Sequence, residues 1–148
     1  MQFLDILTIL CTGPMVGTEF TVSAFINPVV RQLDDRTQAK IFGLFGTLLG
    51  KAMPFWYSLC LVLLLADLYL RRHTSAWPSL AIAAAIWVAL ILYSIFLLVP
   101  INNRIVALDP AARPAGWMRE HQRWETLHRW RIVFLVIAFV FLLHGVLG

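Results

Sequence analysis

Charged side chains are scarce in this chain, with 12 Lys or Arg and 8 Asp or Glu among 148 residues, or 14%. Water-soluble domains carry about 25%, so this composition does not suit a surface that is wet all round. Cysteine is nearly missing. Cys11 and Cys60 both sit in apolar tracts, without CxxC or Cys/His spacing, which excludes a disulfide framework and a zinc module. The chain has no internal repeat, low-complexity tract or extended linker. Its first residues lack the basic n-region of a signal peptide and include Asp5, so they read as an uncleaved first span with Met1 at or close to the mature start.

What fills the chain instead is apolar: 60% of residues are hydrophobic and the mean hydropathy is +0.78. The expectation is an all-α integral membrane four-helix bundle, a single transmembrane domain over residues 1–148 with no room for a separate soluble domain. The apolar tracts place spans at about 3–30, 52–70, 78–99 and 130–147. Pro14, with Gly13 and Gly17, predicts a tilt or kink in the first. Pro54 stands in the first turn of the second, which Arg71, Arg72 and His73 close. Pro78 lies just inside the third span and Pro100 just past its end. The stretch 36–51 reads as an interfacial helix or as an extension of the second span. Turn chemistry surrounds Asp109, Pro110 and Pro114, after which Gly116 to Arg131 resumes as a cytoplasmic interfacial helix or extension leading into the fourth span.

A net charge of +4 and a pI near 9.6 do not point to nucleic acid, because no reading module accompanies them. Lys and Arg collect in the cytoplasmic connections of membrane proteins. The first and third connections hold Arg31, Arg36, Lys40, Lys51, Arg104, Arg113, Arg119, Arg123, Arg129 and Arg131, whereas the second holds Arg71 and Arg72. This asymmetry places the two basic connections in the cytoplasm and both termini outside the cell (inner) membrane.

Ionisable residues inside spans are costly and normally face a bundle interior, a partner or water. Glu19 is the clearest case, in mid-span; it reads either as an interhelical hydrogen-bonding acid or as a base, ligand or proton carrier. Asn27, eight residues on, shares a broad helical face with it about 12 Å along the axis, and before Pro28 it also suits a helix end. Asp5, Asp67 and His144 lie near the outer ends of spans and read as interfacial. At the cytoplasmic mouth, His121, Glu125 and His128 are spaced by four and three residues, so a continuous helix aligns them with Trp117 and Trp124 nearby. His121 is expected on a solvated face. Glu125 and His128 have the i, i+3 spacing of di-metal bundles, which makes His128, His121, Glu125 and Glu19 the ligands if iron, copper or haem is held. Asn102, Asn103 and Arg104 follow Pro100 and suit either an oxyanion or a headgroup anchor. Trp56 and Tyr57 open the second span as belt residues or as an aromatic wall of the mouth.

Several of these motifs together resemble the anthrone oxygenase-like family of small four-helix membrane proteins. They are the glycine-containing first span from Gly17 to an Asn-Pro step at Asn27 and Pro28, and the Met-Pro-Phe-Trp-Tyr start from Met53 to Tyr57. To these add the Pro-x-Asn-Asn step from Pro100 to Asn103 and the Trp-x-x-x-His-x-x-Arg run of Trp124, His128 and Arg131. The resemblance implies oxidation of an anthrone-like or quinone-like lipophilic aromatic by dioxygen without an added cofactor. In that reading His128 is the base, Asn103 and Arg131 stabilise the enolate, and Glu19 tunes the histidine or shuttles protons. Trp124 stacks on the substrate, with Trp56, Tyr57, Asn27 and Asn102 as further substrate contacts.

Two other classes stay open at this level: a non-enzymatic membrane protein that binds a lipophilic ligand or a partner, and a haem- or metal-containing redox protein. Transport is disfavoured by the absence of an inverted repeat. A homo-oligomer among membrane lipids is expected, because Gly43, Gly46 and Gly50 and the cluster Ala83 to Ala85 offer close-packing surfaces.

Overall fold

In the computed structural model, which describes residues 2–107 and 116–148, all regular secondary structure is helical. Four helices account for it: α1 (Gln2–Val30), α2 (Asp35–Leu70), α3 (Trp77–Val106) and α4 (Trp117–Leu147). Each is long and apolar enough to cross a membrane. At 36 residues α2 rises about 54 Å, well beyond the ~30 Å of bilayer hydrocarbon. The stretch 36–51 is therefore an extension of the second span, continuous with it. The tract 117–131 likewise continues into the fourth span as one helix. The expected turn around Asp109, Pro110 and Pro114 lies outside the described residues.

α1 ends where the first span was placed, at Val30, whereas α3 runs beyond the expected end of the third span at 99; a proline lies near the end of each helix. Asn27–Pro28 does not end α1 and Pro100 does not end α3; each helix runs on past its proline, to Val30 and Val106. A proline removes one helical N–H and its ring crowds the carbonyl four residues back. Here the strain is absorbed in a π-turn immediately before the proline, at Val22–Ile26 and at Ser94–Leu98. The N–H of Asn27 bonds Val22 O, and that of Val99 bonds Ser94 O, five residues back in each case.

The ends of the helices are pinned by local chemistry. Asp34 caps α2, accepting from the Thr37 N–H at 3.1 Å and from the Thr37 hydroxyl. These bonds hold its carboxyl below the usual carboxylate range. Gly116, at φ +104°, starts α4 from the left-handed region that a side chain disfavours.

α3 and α4 pack closely along their length, helped by Gly145. A Cβ there would sit 2.7 Å from Leu80 Cγ and 3.3 Å from Ala76 O. Between helices in lipid such close backbone approach replaces the hydrophobic drive that water would supply. The core between the helices includes Met15, Cys60, Leu80, Trp87 and Leu135. Other large apolar side chains, among them Phe3, Phe55, Phe96 and Leu147, point outward.

Two polar residues expected at the interface are drawn inward. Asp67 is buried and accepts from the Thr8 hydroxyl, while Asp5 pairs with Arg71 at 2.8 Å. The cause is Arg71, which supplies a counter-charge and reaches the Gly145 carbonyl at 3.5 Å, tying α1, α2 and α4 together at this end. His144 is exposed, as expected. The glycines expected to serve an interface between copies are largely used within the chain. Cβ atoms on Gly46 and Gly50 would meet Asn102, and Ala83 and Ala84 are buried in the core; Gly43 alone of the three glycines has open space.

Gly145→Ala should overpack the α3–α4 contact and cost about 1–3 kcal/mol, read as a lower midpoint of thermal unfolding in detergent; an unchanged midpoint would show that the contact gives way freely. Because the Asp34 pKa is depressed on folding, its cap is present above the unfolded carboxylate pKa and lost as pH falls through the folded value. Amide exchange over residues 35–38 should accelerate in acid and in Asp34→Ala at neutral pH, and acid should add nothing further in the variant.

Candidate functional site

Glu19 on α1 meets Arg131 on α4, which runs unbroken from Trp117 through the tract once read as interfacial. Arg131 Nη2 donates to Glu19 Oε2 at 2.7 Å, and Nη1 donates to Ser94 Oγ at 3.1 Å. The Tyr57 hydroxyl donates to Glu19 Oε1 at 3.0 Å. All four helices thus contribute to one polar knot, and its side chains are almost wholly buried: 4% exposed for Glu19, 11% for Arg131 and 1% for His128. The Arg131 guanidinium also lies 5.5 Å from the centre of the Tyr57 ring.

His128 adds the most informative detail. Its Nδ1 lies 2.9 Å from Arg131 Nη2 and 3.4 Å from Glu19 Oε2. A guanidinium has donors only, so Nδ1 must present its lone pair to Arg131, which leaves the ring proton on Nε2. Nε2 has no hydrogen-bond partner among the described residues. The ring is held flat against Trp124, with centroids 4.6 Å apart and planes 15° from parallel.

This knot forms the inner wall of a cavity of about 220 Å³. Glu19 and Val22 come from α1, Met53 and Tyr57 from α2, Ser94, Leu98 and Asn102 from α3, and Trp124, His128 and Arg131 from α4. The rest of the wall is apolar apart from Ser58. Asn102 is set by close glycines: its Nδ2 donates to Gly46 O at 3.4 Å and lies 3.5 Å from where a Gly50 Cβ would stand.

Several residues expected at the site lie elsewhere. Asn103 is exposed and off the cavity wall, because the helix continues through Pro100 and turns adjacent residues about 100° apart. Trp56 faces α1, where its indole N–H donates to Cys11 O at 3.0 Å. Asn27 is buried beside a smaller void of about 60 Å³ that also touches His121 and Trp124. His121 is not on a solvated face. It is buried against Phe42, with ring centroids 3.8 Å apart, and its Nε2 is 3.4 Å from Glu125 Oε1. The α2 extension covers it, which the sequence reading had not placed over α4.

Glu125 is taken up by Arg31, whose Nε donates to Oε1 at 3.1 Å while Nη2 bonds Oε2. The candidate metal ligands therefore divide between two separate ion-paired clusters, Glu19 with His128 and Glu125 with His121. Among the described residues no three His, Cys, Asp or Glu side chains converge on one point. Ser94, which sequence reasoning missed, is a further part of the knot; its only signal was position, six residues before Pro100 on the strained turn.

No curated protein and no solved structure matches the chain. A family model described as anthrone oxygenase matches residues 42–141, which covers most of α2, all of α3 and the His128 and Arg131 region of α4, with Glu19 on α1 outside the match. The chain belongs to the anthrone oxygenase family.

Proposed function

We propose that this protein is an integral membrane oxygenase that converts a ring CH2 of a lipophilic, anthrone-like ketone to a second carbonyl with dioxygen. The observation that carries the reading is the buried Glu19–Arg131–His128 group at the inner end of a mostly apolar cavity. Family membership supports the reaction class. Outward-facing Phe and Leu side chains on four helices of spanning length support the membrane setting. The basic connections lie in the cytoplasm and the termini outside, as the charge asymmetry favours.

The reaction balances as one CH2 plus one O2 giving one C=O plus one H2O. Among the described residues Glu19 is the only carboxylate on the cavity wall, and two hydrogen bonds leave it lone pairs to accept the ring proton. As the proton moves, negative charge passes from Glu19 to the substrate's ketone oxygen. Both sites adjoin Arg131, so the number of buried charges is unchanged and the cost of desolvating a new one is avoided. His128, with its proton on Nε2, serves as donor to the enolate oxygen; this replaces the base role expected for it. Asn102 takes the place of Asn103 as the neighbouring amide donor, and Trp124 stacks on the flat ring. Dioxygen adds to the deprotonated carbon, and the resulting hydroperoxide loses water to leave the carbonyl. These steps use the chain's own side chains and dioxygen.

Purified protein should consume oxygen in 1:1 ratio with an anthrone; binding without uptake would favour the non-enzymatic ligand-binding reading. Glu19→Gln should lower turnover by a factor of about 10²–10⁴, the usual worth of a positioned acid–base group, while still binding the product quinone. Turnover at the original rate would remove Glu19 as the proton acceptor. His128→Gln keeps an amide donor where Nε2–H stands and should retain more activity than His128→Ala. Equal loss in the two would return the histidine to the role of base.

A further inference from the structure

The polar knot closes the cavity on its α1 and α4 side, where Glu19 and His128 are buried. Its exposed lining residues all belong to the other two helices: Gly50, Pro54 and Ser58 on α2, and Ile95 and Val99 on α3. α2 and α3 meet at two places on either side of this stretch. Toward the outer end, the Trp87 indole N–H donates to Tyr57 O at 3.1 Å. Toward the basic end, Asn102 donates to Gly46 O. Between them the π-turn Ser94–Leu98 packs on α4, without comparable contact to α2. The two helices are thus parted over the cavity, along faces that the membrane reading turns toward hydrocarbon.

We infer that this gap is a lateral portal through which a flat, lipophilic ring ketone passes from the bilayer directly into the cavity. The inference rests on the membrane and substrate reading above and adds the route. Its chemistry is graded in the right order. The mouth offers Pro54, Ile95 and Val99 to an apolar ring, and the hydrogen-bonding groups wait at the far end, so a ligand would enter with its ketone edge leading. The extra residue in the π-turn creates the opening, and Pro100 holds the turn in place. Such a route spares a poorly soluble substrate any passage through water and keeps water away from the Glu19–Arg131 pair during loading.

The test uses the full-length protein reconstituted in lipid vesicles and anthraquinone, a ring ketone that cannot be oxidised at the same carbon. Its binding is followed by quenching of tryptophan fluorescence in a stopped-flow instrument. The double variant Ser58→Phe, Ile95→Phe should slow association about tenfold or more, with a smaller change in equilibrium affinity. Arg104→Ala, at an exposed ion pair with Glu120 away from the cavity, should associate at the wild-type rate. Wild-type association in the double variant would overturn the portal, and so would an absence of anthraquinone binding to the wild-type protein. Should the double variant not fold, Ile95→Ala widens the mouth and should speed association; an equal or slower rate overturns the inference. Portal-dependent binding without oxygen uptake would sink the oxygenase reading and leave the portal standing. Oxygen uptake with unaltered association in the double variant would do the reverse.

Discussion

A carboxylate and a guanidinium 2.7 Å apart, buried among four apolar helices, set the terms for the rest of this structure. Neither charge is tolerable alone at that depth; removing one partner from such a pair costs about 3–5 kcal/mol because the other is left uncompensated. The pair therefore fixes α1 against α4 across 112 residues of sequence. Tyr57 from α2 and Ser94 from α3 each add a hydrogen bond to it. His128 follows from the same constraint, since the guanidinium that neutralises Glu19 also determines which imidazole nitrogen carries the proton. Packing, electrostatics and the proposed chemistry are in this sense one arrangement.

The prolines give that arrangement its geometry. Pro28 and Pro100 each follow a π-turn, and both turns contribute cavity-lining residues: Val22 in one; Ser94, Ile95 and Leu98 in the other. A regular helix at either place would rotate the following residues by about 100° relative to those before it, changing which of them face the cavity. The same device that lets a helix survive a missing N–H opens a cavity and, on α3, parts it from α2. Close glycines act at the opposite extreme, holding Asn102 at the wall and letting α3 and α4 touch.

The four apolar tracts, the continuity of 117–131 with the fourth span and the inward placement of Glu19, His128 and Arg131 were legible in the sequence. They depend on periodicity and on the price of charge in a span, both of which are local. What was not legible depended on partners. Asp67 and Asp5 looked interfacial until Arg71 and Thr8 were placed beside them, and His121 looked solvated until the extended α2 covered it with Phe42. Asn103 was given the enolate-stabilising role and Asn102 a secondary contact; the continuation of α3 through Pro100 puts Asn102 on the cavity wall instead. Gly46 and Gly50 carried the same small-residue signal as an interface between chains, and the partner they found was Asn102.

The central claim is that dioxygen supplies the new carbonyl oxygen on a ring held at the Glu19–Arg131–His128 group. Turnover of an anthrone under ¹⁸O₂ in ordinary water, followed by mass spectrometry of the quinone, tests it most directly. The account predicts one ¹⁸O atom in each product molecule, with the second atom of the gas leaving as labelled water. An unlabelled quinone would mean that water is the oxygen donor, and would contradict it.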